Sequence, residues 1–75
     1  MEIKTIEGII EAILFTMGDS VEVSRIAKVI EQDTEKTKKI IRNMMERFEE
    51  EDRGVRIIEL DNAFQMCTKK EHYEY

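Results

Sequence analysis

Seventy-five residues are enough for one small domain, which buries roughly 60% of its unfolded surface and gains from a partner's support. With 12 basic against 17 acidic residues the net charge is −5, so the long-range field repels a phosphate backbone and nucleic acid is not the favoured partner. Cys67 is the only cysteine and no Cys or His falls at metal-ligand spacing, which excludes an internal disulfide, implies no metal or cofactor, and points to a reducing, cytoplasmic setting.

From Ile3 to Met17 the residues Ile3, Ile6, Ile9, Ile10, Ile13, Leu14 and Met17 recur at i, i+3, i+4 and i+7, the period of an amphipathic helix. Glu7 and Glu11 interrupt its apolar runs, so neither a signal peptide nor a membrane span fits, and a soluble protein is expected. Gly18-Asp19 ends the helix, with the glycine suited to the left-handed cap. Val21-Glu22-Val23 is long enough only for a bridge, a candidate third strand for a later hairpin. Ser24 is placed to cap a short helix from Arg25 to Glu31, in which Ile26, Ala27 and Ile30 share a face with Val23.

Gln32-Asp33 makes the turn into the longest predicted element. Asp33 reads as an N-cap, and the run to about Asp52 contains neither Gly nor Pro. At 100° per residue, Thr37, Ile40, Ile41, Met44, Met45 and Phe48 form one stripe, with Lys39, Arg42, Asn43, Glu46 and Glu50 opposite. Gly54 suits a left-handed C-cap after the acidic end, although acids there oppose the helix dipole. Two β-rich runs follow, Val55 to Leu60 and Ala63 to Thr68, joined by Asp61-Asn62, a two-residue turn whose members both tolerate positive φ. A short helix, a tight turn, a long helix and a hairpin make an α+β winged helix-turn-helix of three helices and a three-stranded antiparallel sheet. Residues 1–68 are the domain; residues 69–75 read as the start of a truncated helix or a linker.

Three sets of residues invite a functional reading. Gly8, Ala12 and Phe15 lie almost opposite the core stripe of the first helix, and a small-small-aromatic strip on a face that should be wet points to docking of another subunit, the alternative being a second internal contact, for example under the C-terminal segment. Lys36, Lys38, Lys39 and Arg42 occupy the half of the long helix where a DNA-reading relative of this architecture places its contacts, but six acids share that helix and the wing tip carries no cation. His72, beside Tyr73 and Tyr75, has no nucleophile or base at meaningful spacing; Cys67 and Met44-Met45 read as packing residues. No phosphate loop, paired-carboxylate pattern or zinc spacing appears, so an enzyme is not expected.

The blocks Ile9-Ile10-Glu11-Ala12-Ile13-Leu14-Phe15, Gly18-Asp19, Ile26-Ala27, Arg53-Gly54-Val55-Arg56-Ile57-Ile58-Glu59 and Phe64-Gln65-Met66 resemble the N-terminal domain of segregation and condensation protein B. Ser20, Asn62-Ala63 and Lys70 depart from the pattern, which has a proline, glycines and a proline at those places. The resemblance implies a non-enzymatic subunit of a bacterial condensin-like complex with an SMC ATPase and the kleisin partner, segregation and condensation protein A, associated with the nucleoid and acting on DNA through the complex. It also implies pairing of N-terminal domains as a homodimer, and continuation of such proteins into a second winged helix beyond the residues given. The alternative is a helix-turn-helix transcriptional regulator that binds DNA directly, favoured by fold analogy and by Lys36 to Arg42.

Overall fold

The computed structural model describes residues 1–68, built from α1 (Ile3–Met17), β1 (Val21–Glu22), α2 (Val23–Ile30), α3 (Thr34–Glu50), β2 (Val55–Leu60) and β3 (Ala63–Thr68). The expected stub at 69–75, with His72, Tyr73 and Tyr75, lies outside the described residues. On α1 the stripe Ile6, Ile10 and Leu14 is buried, whereas its predicted ends are not: Ile3 and Met17 are 52% and 45% exposed, because the helix overhangs the core at both termini. Gly18 ends α1 at φ 65°, its N–H donating to the Leu14 carbonyl at 3.2 Å. This is the left-handed cap read from the sequence.

The start of α2 differs from expectation. Strand β1 stops at Glu22 and the helix begins at Val23, so Ser24 sits in the first turn rather than at the cap, and Glu22, the N-cap, makes no side-chain cap bond. The reason is tertiary. The Val23 N–H, one of the amides a helix start leaves without a partner, donates to the Asn62 carbonyl of the hairpin at 2.9 Å. The buried side chains of α2 are Val23, Ile26, Ala27 and Ile30, as the spacing predicts.

Asp33 caps α3 as expected, its Oδ1 accepting from the Lys36 N–H at 2.7 Å. Thr37, Ile40, Ile41, Met44 and Phe48 are buried and Met45 is half-buried. Thr37 tolerates full burial because its hydroxyl donates to the Asp33 carbonyl at 2.8 Å. The helix ends at Glu50, and the left-handed residue is Asp52 (φ 52°), not Gly54. The N–H groups of Asp52 and Arg53 donate to the carbonyls of Glu49 and Phe48, a Schellman closure. Arg53, the residue after the left-handed one, stacks its guanidinium 4.0 Å from the Phe48 ring centre, and the chain turns back two residues before the glycine.

The strands order β1-β3-β2, all antiparallel, with Leu60 opposite Ala63 and Val55 opposite Thr68 in the hairpin and Val21 opposite Phe64 on the other edge. Of the two turn residues only Asn62 takes positive φ (58°). Ile57, Ala63, Phe64 and Met66 are buried, and Phe64 joins Ile10, Leu14, Ile26, Ile30, Ile41 and Met44 in one core. Helices α2 and α3, joined by residues 31–33 and followed by the β2–β3 wing, form a winged helix.

Candidate protein-interaction site

Helix α1 is held on its acidic flank by α3 and the turn after it. Arg47 of α3 pairs with Glu7, and Arg53 reaches Glu11 at 3.3 Å. With Ile6, Ile10 and Leu14 inward and this flank tied down, the strip Gly8, Ala12 and Phe15 faces away from the body. All three are exposed, Phe15 to 75%, and with Glu11 they line a shallow depression. A Cβ added at Gly8 would meet nothing within 4 Å, so no internal neighbour requires a glycine there. Phe15 also borders a second hollow with Leu14, Val55, Met66 and the half-buried Cys67.

The basic cluster of α3 is divided. Arg42 grips Glu59 of β2 with two bonds, Nε to Oε1 at 3.0 Å and Nη2 to Oε2 at 2.7 Å. That grip holds the Glu59 carboxyl below the usual carboxylate range and pushes the Arg42 guanidinium up, in each case through the shared side-chain hydrogen bond first. Lys38 leans on the wing tip, Nζ 3.4 Å from Asn62 Oδ1, and lies 3.7 Å from Glu35. Lys36 and Lys39 are the two exposed lysines of the set.

One feature needed tertiary placement to become visible. Between α1 and α2 runs an apolar groove lined by Ala12, Ile13, Met17, Ile26, Val29 and, at its side, Arg25. Val29 is 55% exposed on the outer side of α2, away from the buried Ile26 and Ile30. Its one sequence-level signal was an apolar residue off the core face of a two-turn helix. Among the described residues no group of His, Cys, Asp and Glu is arranged to hold a metal ion, and no helix is long and apolar enough to cross a membrane.

The family model for segregation and condensation complex subunit ScpB matches residues 8–75. A segregation and condensation protein B of Lachnoclostridium phytofermentans is 61% identical over 74 residues, covering 99% of this chain and 39% of that protein. Its counterpart in Agathobacter rectalis is 51% identical over 67 residues, covering 88% of this chain and 36% of that protein. The chain thus spans under two fifths of the length of these curated relatives. Among solved structures, a dimer of a ScpB N-terminal domain complexed with a ScpA peptide matches at TM-score 0.88 and 36% identity, over 97% of this chain and 91% of that one. ScpB from Mycobacterium tuberculosis matches at TM-score 0.90 over 100% of this chain and 47% of that one; at 17% identity it speaks to the fold alone. With a family model spanning residues 8–75 and close relatives over almost its whole length, this chain belongs to the ScpB family of segregation and condensation complex subunits.

Proposed function

We propose that this chain is the self-associating N-terminal part of a ScpB-type subunit, acting without catalysis in chromosome condensation and partition together with an SMC ATPase and the kleisin partner ScpA. Two copies pair through the outer face of α1 and so hold two kleisin-binding halves in one assembly. The site of action is the cytoplasm, at the nucleoid, with DNA engaged through the complex. The observation that carries the reading is Phe15, a large aromatic left 75% exposed beside Gly8 and Ala12, whose small size lets a second helix approach closely. The similar domain solved as a dimer with a ScpA peptide supports both the pairing and the partner.

Direct DNA reading by Lys36, Lys38, Lys39 and Arg42 draws less support. Arg42 would have to leave a two-point bond with Glu59, and Lys38 lies beside Asn62 and Glu35, in a chain of net charge −5. Sedimentation equilibrium tests the proposal: the chain is expected to dimerise at micromolar concentration and Phe15→Asp to be monomeric. A wild-type chain that stays monomeric at high micromolar concentration would refute it.

A further inference from the structure

The face offered for self-pairing is not purely apolar. Its depression is lined by Gly8, Ala12 and Phe15 and also by Glu11, a half-buried acid in a chain that carries 17 of them. A contact shared by two identical copies is isologous, so a residue that Phe15 touches must in turn be touched by the other Phe15. Parallel helices would set Phe15 against Phe15 and Gly8 against Gly8, a clash at one end and a void at the other. Antiparallel helices set each Phe15, 75% exposed, into the other copy's hollow at Gly8, where an added Cβ would meet nothing within 4 Å. That arrangement has an electrostatic consequence. Glu11 lies midway between Gly8 and Phe15 along the helix and on the flank of the strip, and an antiparallel two-fold axis brings the same flank of both helices to one side. The two Glu11 side chains therefore meet beside the axis, where like charges are costly once water leaves the contact.

Arg53 is placed to offset that cost. Its Nη2 lies 3.3 Å from Glu11 Oε2 and its Nη1 3.7 Å from Glu51 Oε1, while its guanidinium rests on the Phe48 ring at 4.0 Å. The stack holds a long, flexible cation beside Glu11 before any second copy arrives. Arg47, the other cation that ties down α1, is engaged with Glu7, about one turn away. From this we infer that Arg53 is a positioning residue for self-association: it holds the Glu11 charge so that two α1 helices close antiparallel, Phe15 of each in the hollow of the other. The inference rests on the function proposed above and adds to it the orientation of the pair and the residue that permits it.

The test is sedimentation equilibrium of the 75-residue chain and its variants at low ionic strength. Arg53→Gln is expected to weaken the dimer about tenfold or more, the scale of a like-charge contact left uncompensated. Added salt should recover part of that loss, because it screens repulsion and does not replace a lost stack. Adding Glu11→Gln to Arg53→Gln should bring association back to within about twofold of wild type, the coupling expected of two residues that act on one charge. Orientation is read by mixing Arg53→Gln with a fluorescently labelled Arg53→Gln/Glu11→Lys chain: opposite charges at position 11 should favour the heterodimer over either homodimer. Three results would overturn the inference. One is an Arg53→Gln dimer as tight as wild type. Another is a loss that neither salt nor Glu11→Gln repairs, which would leave Arg53 a structural residue beside Phe48. The third is no preference for the heterodimer, which would set the two Glu11 side chains apart. Failure of the function proposed above has its own signature, a wild-type chain that stays monomeric at high micromolar concentration.

Discussion

Helices α1 and α3 are both amphipathic and both drive one face into the same core, yet they treat their other faces in opposite ways. The outer side of α3 is charged and turned to internal use: Arg42 binds the wing through Glu59, Arg47 binds α1 through Glu7, and Lys38 reaches the turn at Asn62. The outer side of α1 is apolar and unused within the chain, with Phe15 exposed beside Gly8 and Ala12 and the groove of Met17 and Val29 alongside. In a domain this small, polar side chains on one helix stitch the fold together, which leaves the other helix free to spend its apolar surface outside. The helix at the DNA-reading position of a winged helix is here tied into the fold through its charged side chains, and the first helix keeps an exposed apolar face.

The contrast can be broken most forcefully from inside. Ile41 of α3 is fully buried, and Ile41→Ala should cost about 2–5 kcal/mol of stability in urea unfolding, a large share of what a small domain has. An unchanged midpoint would mean that the α3 stripe does not hold the core. On α1 the expected outcome reverses: Phe15→Asp should leave stability of the monomer within about 0.5 kcal/mol, as for other exposed positions, while weakening self-association at least tenfold in sedimentation. Equal losses of stability in the two variants would erase the distinction between the helices.

Smaller effects sharpen it. Removing the cap of α3 with Asp33→Ala frees the Lys36 amide and should cost about 1 kcal/mol, read as a lower urea midpoint without change in slope. Smallest of all is the bond between α3 and the wing. The folded Glu59 carboxyl titrates below its unfolded value, so its contribution is present above the unfolded carboxylate range and is lost as pH falls through the folded pKa. Glu59 and Arg42 are 31% and 54% exposed at their side chains, and water screens them. Arg42→Ala should therefore move the Glu59 titration up in an NMR experiment and flatten the acid side of the stability profile slightly. An unmoved titration would show that the bond does not form in solution.

Much of this was legible from local pattern. The bounds of α1, the Asp33 cap, the inward stripe of α3 and the hairpin around Asp61-Asn62 each follow from periodicity or cap chemistry, which act within a few residues. Two helix ends were not. Glu31 and Asp52 take left-handed conformations at φ 57° and 52° with no glycine to advertise them. At Asp52 the amides of Asp52 and Arg53 close on the carbonyls of Glu49 and Phe48, with Arg53 stacked on the Phe48 ring beside the turn. The start of α2 escaped for a related reason, since its first amide is satisfied from Asn62 of the hairpin, far away in sequence, rather than by Ser24.

Local periodicity therefore determined the inward stripes of α2, α3 and the middle of α1, because a side chain's direction on a helix is fixed by backbone geometry, while the exposure of Ile3 and Met17 was set by how far the core reaches along α1. It also singled out Gly8, Ala12 and Phe15, since an apolar strip opposite the core is a property of one helix. What only the folded molecule decided is which charges find each other and which are left over. The bonds of Arg42, Arg47 and Arg53 to distant carboxylates, and the apolar groove that two helices make between them, depend on how elements far apart in the sequence are set side by side.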